Sequence, residues 1–385
     1  MKKYILTLCV CLLSINVAHA EGEDLFSEEM LLGTETSLND KMDNNTTKAE
    51  NNDEQTGSFF GFIINPISKL FGSGEKITEV PEGEKESLLD ISIRRANEGS
   101  IEDQTNLAYM YLYGANGVTP DYVKAFKYYE MAAKLDDPVA LNNLGSLYFS
   151  GIGTKKDNNA ALVCFQKASD LGNDNASLNL AFIYLTGGTK DRIRNRKAVE
   201  LFEKAKKSGN KIAEFMLGYA YYKGFVVDEN YAEAYKLIKS AAGGKSRIDE
   251  AQLVLAYLYT QGIGTVQNYN SAIKSYLAAI SQGNMEATLT LAEIYADGKI
   301  TEQNLVLAHA LYNIAASQNV PEAAEKRDEL NEKMQLEELT NAQAQAQNYK
   351  ASPSELTTYI RQTYGYNIRS YIDNNIPDSN TKNKK

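Results

Sequence analysis

From about residue 88 onward, short apolar-periodic segments alternate with polar, glycine-containing joints, and the alternation has a nearly fixed period. The stretch 140–173, ALNNLGSLYFSGIGTKKDNNAALVCFQKASDLGN, shows one unit: two segments of helical periodicity, each too short to fold alone, joined by a glycine turn. The motif L-[G/A]-x-x-Y-x-x-G occurs six times, from Leu107, Leu144, Leu180, Leu217, Leu255 and Leu291, at spacings of 37, 36, 37, 38 and 36 residues. Each copy is followed by two alanines seven apart: Ala125/Ala132, Ala161/Ala168, Ala198/Ala205, Ala234/Ala241, Ala272/Ala279 and Ala308/Ala315. A large residue (Tyr129, Phe165, Phe202, Ile238, Tyr276, Tyr312) stands three before the second alanine.

These spacings have a helical reason. Offsets 0, +1 and +4 of the first segment share one face, where leucine and tyrosine fill a core and glycine or alanine admits a close neighbour. Offsets 0, +4 and +7 of the second segment share another, with small contacts around one large knob. The glycine at +7 ends the first helix as a left-handed cap. A unit that cannot bury its apolar face alone needs stacked copies, so the pattern predicts an all-α solenoid of helix-turn-helix repeats over 87–334, six repeats plus capping half-units. The distance from second alanine set to next leucine is constant except beside Gly243-Gly244, where two extra residues predict a local change of superhelical pitch.

The ends read differently. Lys2 and Lys3, an apolar run to Val17 and Ala18-His19-Ala20 make a secretory signal over 1–20, with a periplasmic or secreted destination. Residues 21–86 are acidic and aperiodic, predicting a disordered linker. Inside it, residues 58–71 (SFFGFIINPISKLF) form an apolar island suited to docking on the solenoid, on a partner or on a membrane. Residues 335–375 carry two further helical patterns, read as C-terminal capping helices, and 376–385 read as a disordered tail.

Charge narrows the function classes. The formal net charge is −10, and residues 21–90 hold 17 Asp/Glu against 5 Lys/Arg, so the repeat body is balanced. That argues against a nucleic-acid binder, which needs a net basic face. The nine Lys/Arg between Lys190 and Lys211 are either a solvated basic face or a receptor for an acidic segment.

At this point the residues carry a resemblance. A-x-x-x-L-G-x-x-Y-x-x-G-x-G, then K-A-x-x-[WY]-[YF]-x-K-A, with Gly-Ile-Gly-Thr at 151–154 and 262–265, resembles the Sel-one-like repeat (SLR) family, longer-period relatives of tetratricopeptide repeats. The resemblance covers about 88–334. It implies a right-handed α/α superhelical solenoid acting as an exported, non-enzymatic scaffold for a protein or peptide partner, in host interaction or envelope organisation. The alternative class is a cell-wall or β-lactam hydrolase. The one-disulfide-per-repeat pattern of the branch with such reported activity is missing here, since only Cys164 follows the leader.

No catalytic, cofactor or metal constellation is expected. His309 is the one histidine after the leader, and it lies four repeats from Cys164, about 40 Å at roughly 10 Å per helix pair. No zinc spacing, phosphate loop or dinucleotide fingerprint occurs. The candidate functional surface is the face of each first helix opposite the leucine/tyrosine stripe, which lines the concave groove in this architecture. Offset −1 gives Asn106, Asn143, Asn179, Met216, Val254 and Thr290; offset +2 gives Tyr109, Ser146, Phe182, Tyr219, Tyr257 and Glu293. Asparagine amides suit an extended peptide backbone, and Tyr219 and Tyr257 suit anchoring. Polar decoration of an exposed helix face is the alternative.

Overall fold

The computed structural model describes residues 87–186, 192–245, 247–365 and 367–374. The signal expected at 1–20, the linker expected at 21–86 with its island at 58–71, and the tail expected at 376–385 lie outside the described residues. Among the described residues all regular structure is helical.

The chain divides into two compact units within one helix, between Ala176 and Ser177. The first unit holds α1 (Leu88–Asn97), α2 (Ile101–Tyr113), α3 (Tyr122–Ala133), α4 (Pro138–Ser150), α5 (Asn158–Asp170) and the start of α6 (Asp174–Thr186). The second holds the rest of α6, then α7 (Arg192–Lys206), α8 (Lys211–Lys223), α9 (Tyr231–Ala242), α10 (Asp249–Gln261), α11 (Tyr269–Ser281), α12 (Met285–Asp297) and α13 (Leu305–Ser317). After α13 come α14 (Pro321–Asn331), α15 (Leu336–Gln347), α16 (Glu355–Thr363) and α17 (Ser370–Asp373). Within each unit consecutive helices pack as pairs and each pair packs on the next, the pattern of an α-solenoid.

Capping residues set these helices. The first helix of a repeat starts from Ser100, Asp137, Asn210 or Asn284, whose side chains accept N–H groups of the first turn, and ends at a left-handed glycine such as Gly151 (φ 73°) or Gly262 (φ 69°). The second helix starts from Asp121, Asp157, Asn230, Asn268 or Asn304, four residues before the repeat's first alanine. The alanine count passed over this second cap; Arg194 holds the equivalent place in the third repeat. Replacing Asn304 by alanine orphans the N–H of Leu307 (3.0 Å) and is expected to cost about 1 kcal/mol in a urea melt. An unchanged midpoint would contradict that role.

The motif leucines and alanines form the core: Leu107, Tyr129 and Phe165 in the first unit, and Leu217, Ile238, Tyr276 and Tyr312 in the second, are buried. Glycine in the motif does what the spacing requires. A Cβ on Gly145 would stand 2.9 Å from the Phe165 ring. Most motif tyrosines lie at the rim of this core rather than inside it. Tyr148 meets Phe126 edge-on at 5.2 Å, and Tyr259 meets Tyr235, the two hydroxyls 3.1 Å apart. Cys164 is buried, and burial pushes its thiol up to about 11 against the pull of Lys167, so it packs as a small apolar group. His309 is a packing residue too. Burial lowers its pKa, and its Nε2 lies 2.9 Å from Asn331 Oδ1.

The C-terminal helices depart from the expected end cap. Only α15 sits where a cap would, against α13. Beyond it the chain turns back and α16 and α17 run along the first helices of the second unit. The turn is fixed by Tyr349, whose hydroxyl donates to the Ile280 carbonyl (2.7 Å), and by Ser352 N–H, which donates to the Ser281 carbonyl (2.7 Å). Gly365 at φ 94° separates the two helices. Ile360 of α16, Ile368 between the helices and Ile372 of α17 are almost fully buried, each stabilising the docked state by on the order of 2 kcal/mol.

Candidate functional site

The site grows from the start of α10. Every other first helix of the six repeats has a side-chain cap of its own, Asn173 serving α6 by accepting Ala176 N–H (2.8 Å). At α10 the cap position is Ile248, which has none to give. The missing acceptor comes from far along the chain: Thr357 Oγ1 of α16 accepts the Asp249 N–H at 3.2 Å. That hydroxyl also lies 2.8 Å from Gln282 Oε1, which accepts Ser354 N–H at 3.0 Å. Ser354 Oγ donates to the carbonyl of Arg247 (2.6 Å). The two-residue insertion beside Gly243-Gly244 is thus the stretch that presents this carbonyl to the returning segment.

Carboxylates come next. Asp249 is 1% exposed, and its Oδ2 accepts Arg361 Nη2 at 2.7 Å and Asn284 Nδ2 at 3.0 Å. One residue on, Glu250 faces Arg369, Oε2 to Nε 2.7 Å, and Arg369 reaches Glu286 of α12 with its Nη2. Burial pushes the Glu250 carboxyl up to about 7, Arg369 pulling against it and Asp249 and Glu286 adding to it. Arg369 is itself raised, Glu250 and Glu286 overcoming the burial that lowers it. The two shifts differ because the arginine is shared by two anions, whereas Glu250 has one cation and two like-charged neighbours.

The aromatic end of the site lies on α6 and α8. Tyr364 packs on Phe182 with centroids 4.0 Å apart and the rings tilted by 32°, Tyr371 meets the same ring edge-on at 4.9 Å, and Tyr364 Oη lies 3.5 Å from Asn179 Oδ1. Tyr219 donates its hydroxyl to Asp373 (2.9 Å to Oδ1), and Lys223 stands 3.6 Å from the same oxygen.

The twelve positions expected to line an open groove therefore have different fates. In the second unit Asn179, Phe182 and Tyr219 are covered by the chain's own α16 and α17, and Met216 and Val254 are buried. Tyr257, 42% exposed, Thr290 and Glu293 remain accessible, Glu293 in an ion pair with Lys326. In the first unit Tyr109, Asn143 and Ser146 are buried and Asn106 is partly so. Eight of the twelve side chains expected in the groove are thus buried, and in the second unit the chain's own C-terminal segment covers part of that face. Sequence reasoning missed Glu250 and Glu286, which extend the same stripe one turn toward the N-terminus, at offset −5. Following the face to the start of each helix finds them; stopping at the motif leucine does not.

Residues 101–137, 138–173, 175–210, 211–244, 249–284 and 286–320 each match the Sel1 repeat family. The chain belongs to the Sel1 repeat family. A 51-residue stretch is 47% identical to the ERAD-associated E3 ubiquitin-protein ligase component HRD3B of Arabidopsis thaliana, covering 13% of this chain and 8% of that protein. Over 127 residues it is 29% identical to protein sel-1 homolog 2 of Mus musculus, covering 32% of this chain and 18% of that one. The matches thus span under a fifth of the length of these curated relatives. A crystal structure of a Sel1 repeat protein from Oxalobacter formigenes is similar to this fold, with a TM-score of 0.50 and 26% identity over 60% of this chain and 99% of that one. Sel1 repeats mediate protein–protein interactions, and the fold is typically a non-enzymatic scaffold.

In this Sel1 repeat protein Glu250 makes a pH signature. Its folded pKa exceeds the ordinary carboxylate value, so the folded state binds the proton more tightly than the unfolded one. The group's contribution is greatest below about pH 4.5 and is lost as pH rises to about 7. Glu250→Gln is expected to match the parent at pH 5 and exceed it by about 1–3 kcal/mol at pH 8. Equal differences in denaturant midpoint at both pH values would contradict the assignment.

Proposed function

We propose that this protein is an exported scaffold that binds a segment of another protein along the first-helix face of its second unit. The observation that carries the reading is that this face already holds a chain segment, residues 354–373, through paired charges, a shared helix cap and packed aromatics. A surface that recognises one segment in such detail has the chemistry of a peptide-binding module. The signal read at 1–20 puts the partner outside the cytoplasm: an envelope factor or, for a secreted molecule, a host protein. Two measurements test this. N-terminal sequencing of protein recovered from the envelope or medium is expected to start at Glu21. A photo-crosslinker at position 257 is expected to trap a discrete partner, and one at Leu277, exposed on a second helix, is expected to trap none. Equal adducts from both positions, or recovery of the intact leader in the cytoplasm, would overturn the reading.

A further inference from the structure

We propose that this face is a reader of arginine-bearing helical peptides, and that residues 354–373 are its resident ligand, displaced by a partner segment of the same chemistry. The inference rests on the scaffold reading above and names the class of partner. Three observations carry it.

The first is the pattern of recognition. Asp249 takes Arg361, and Glu250 with Glu286 takes Arg369, eight residues later. Between them Tyr364 lies on Phe182. Two arginines eight residues apart, one on each side of the break at Gly365 and with an aromatic between them, make a readable signature, and guanidinium is the cation best suited to paired carboxylates.

The second is that the repeat fold does not call for the buried glutamate. At the position of Glu250 and Glu286 the second, third and fourth repeats carry Val139, Asn175 and Ile212, and the first carries Glu102, which is exposed. A carboxylate buried as Glu250 is costs stability unless a cation meets it, so Glu250 is placed for a ligand rather than for the repeat fold.

The third is how the occupant is built. It consists of one nine-residue and one four-residue helix hinged at Gly365, attached by side chains and one borrowed cap, whereas the repeats are held by interlocking helix pairs. Helices this short have no stability of their own. Their docking therefore rests on the face, and a competitor that offers the same contacts can replace them. Tethering gives the resident segment a high effective concentration, which sets the threshold a partner must exceed.

The test uses the full chain and a fluorescein-labelled synthetic peptide of residues 352–374, read by fluorescence anisotropy. The parent is expected to bind it weakly, because the face is occupied; a segment open about 1% of the time weakens apparent affinity about 100-fold. Arg361→Ala/Arg369→Ala, which frees the face, is expected to bind at least about tenfold tighter than the parent. A peptide carrying the same two substitutions is expected to bind neither protein. A folded variant, by circular dichroism and melting, that binds no better than the parent would overturn the proposal. If the variant does not fold, hydrogen exchange on the parent decides. Amides of 357–373 exchanging at least about tenfold faster than those of α11–α13 support a dockable segment, and exchange in step with them overturns it. A partner trapped at position 257 together with no peptide binding would remove this inference and leave the scaffold reading standing; loss of both would remove both.

Discussion

Gly264→Ala should lower stability by about 3 kcal/mol or more, the largest effect expected from adding one methyl group to this chain. Gly264 lies at φ 68°, where an L side chain adds strain of roughly 1–2 kcal/mol. Space decides the rest. A Cβ there would fall 1.9 Å from the Tyr231 carbonyl oxygen, at the start of α9, so the interhelix turn and the preceding repeat would have to part. Gly153, the equivalent residue of the first Gly-Ile-Gly-Thr, meets the Tyr122 carbonyl at 2.0 Å and should behave alike. Gly209 is the control: its φ is 80°, yet nothing lies within 4 Å of its Cβ, so Gly209→Ala should cost only the backbone strain. Chemical denaturation of the three variants checks the order. Similar losses at 264 and 209 would show that backbone strain, not close repeat packing, governs the turn.

Asp249→Ala should leave the repeats folded and unpeel α16. Removing one partner of a buried ion pair costs about 3–5 kcal/mol, mostly from the charge left behind. Here that charge is Arg361, whose side chain is 16% exposed and sits on a short helix free to swing into water. The element that yields is therefore α16 rather than α10. Asn284 also loses an acceptor, but it still caps α12 through its own oxygen (2.9 Å to Ala287 N–H). Hydrogen exchange at 357–363 is expected to rise about 100-fold, with far smaller change in α11–α13. Asp249→Ala/Arg361→Met, which replaces both charges, should recover much of the protection. Unchanged exchange at α16 in the single variant would mean that the pair does not hold the segment.

How much of this was legible in the sequence depends on the range of the interaction. Leu144, Gly145, Phe165 and Ala168 specify contacts between helices adjacent in the chain, so their spacing alone identified the repeat. The caps at Asp157 and Asn268 were equally local and could have been read with the same counting. The site was not legible, because its two halves lie far apart in sequence. Nothing near Phe182 announces Tyr364, and nothing near Ile248 says that its helix will be capped by Thr357. Period counting placed Asn179, Phe182 and Tyr219 on the face opposite the leucine stripe, and it is there that Tyr364, Tyr371 and Asp373 meet them. It took that face to be open because periodicity describes a helix's sides and not what returns to cover them. The insertion beside Gly243-Gly244 was visible as a break in register; its role in presenting the Arg247 carbonyl required the fold.

The borrowed cap on α10 also bears on the order of folding. Repeat contacts join neighbours within about one period, whereas the contacts of Thr357, Arg361 and Asp373 close loops of 108, 112 and 154 residues. Local contacts form early and long closures late, so the solenoid should assemble first and the segment should dock onto it in a separate, slower step. During that interval the carboxylate face stands empty, and a newly made molecule is open to a partner before it is open to itself.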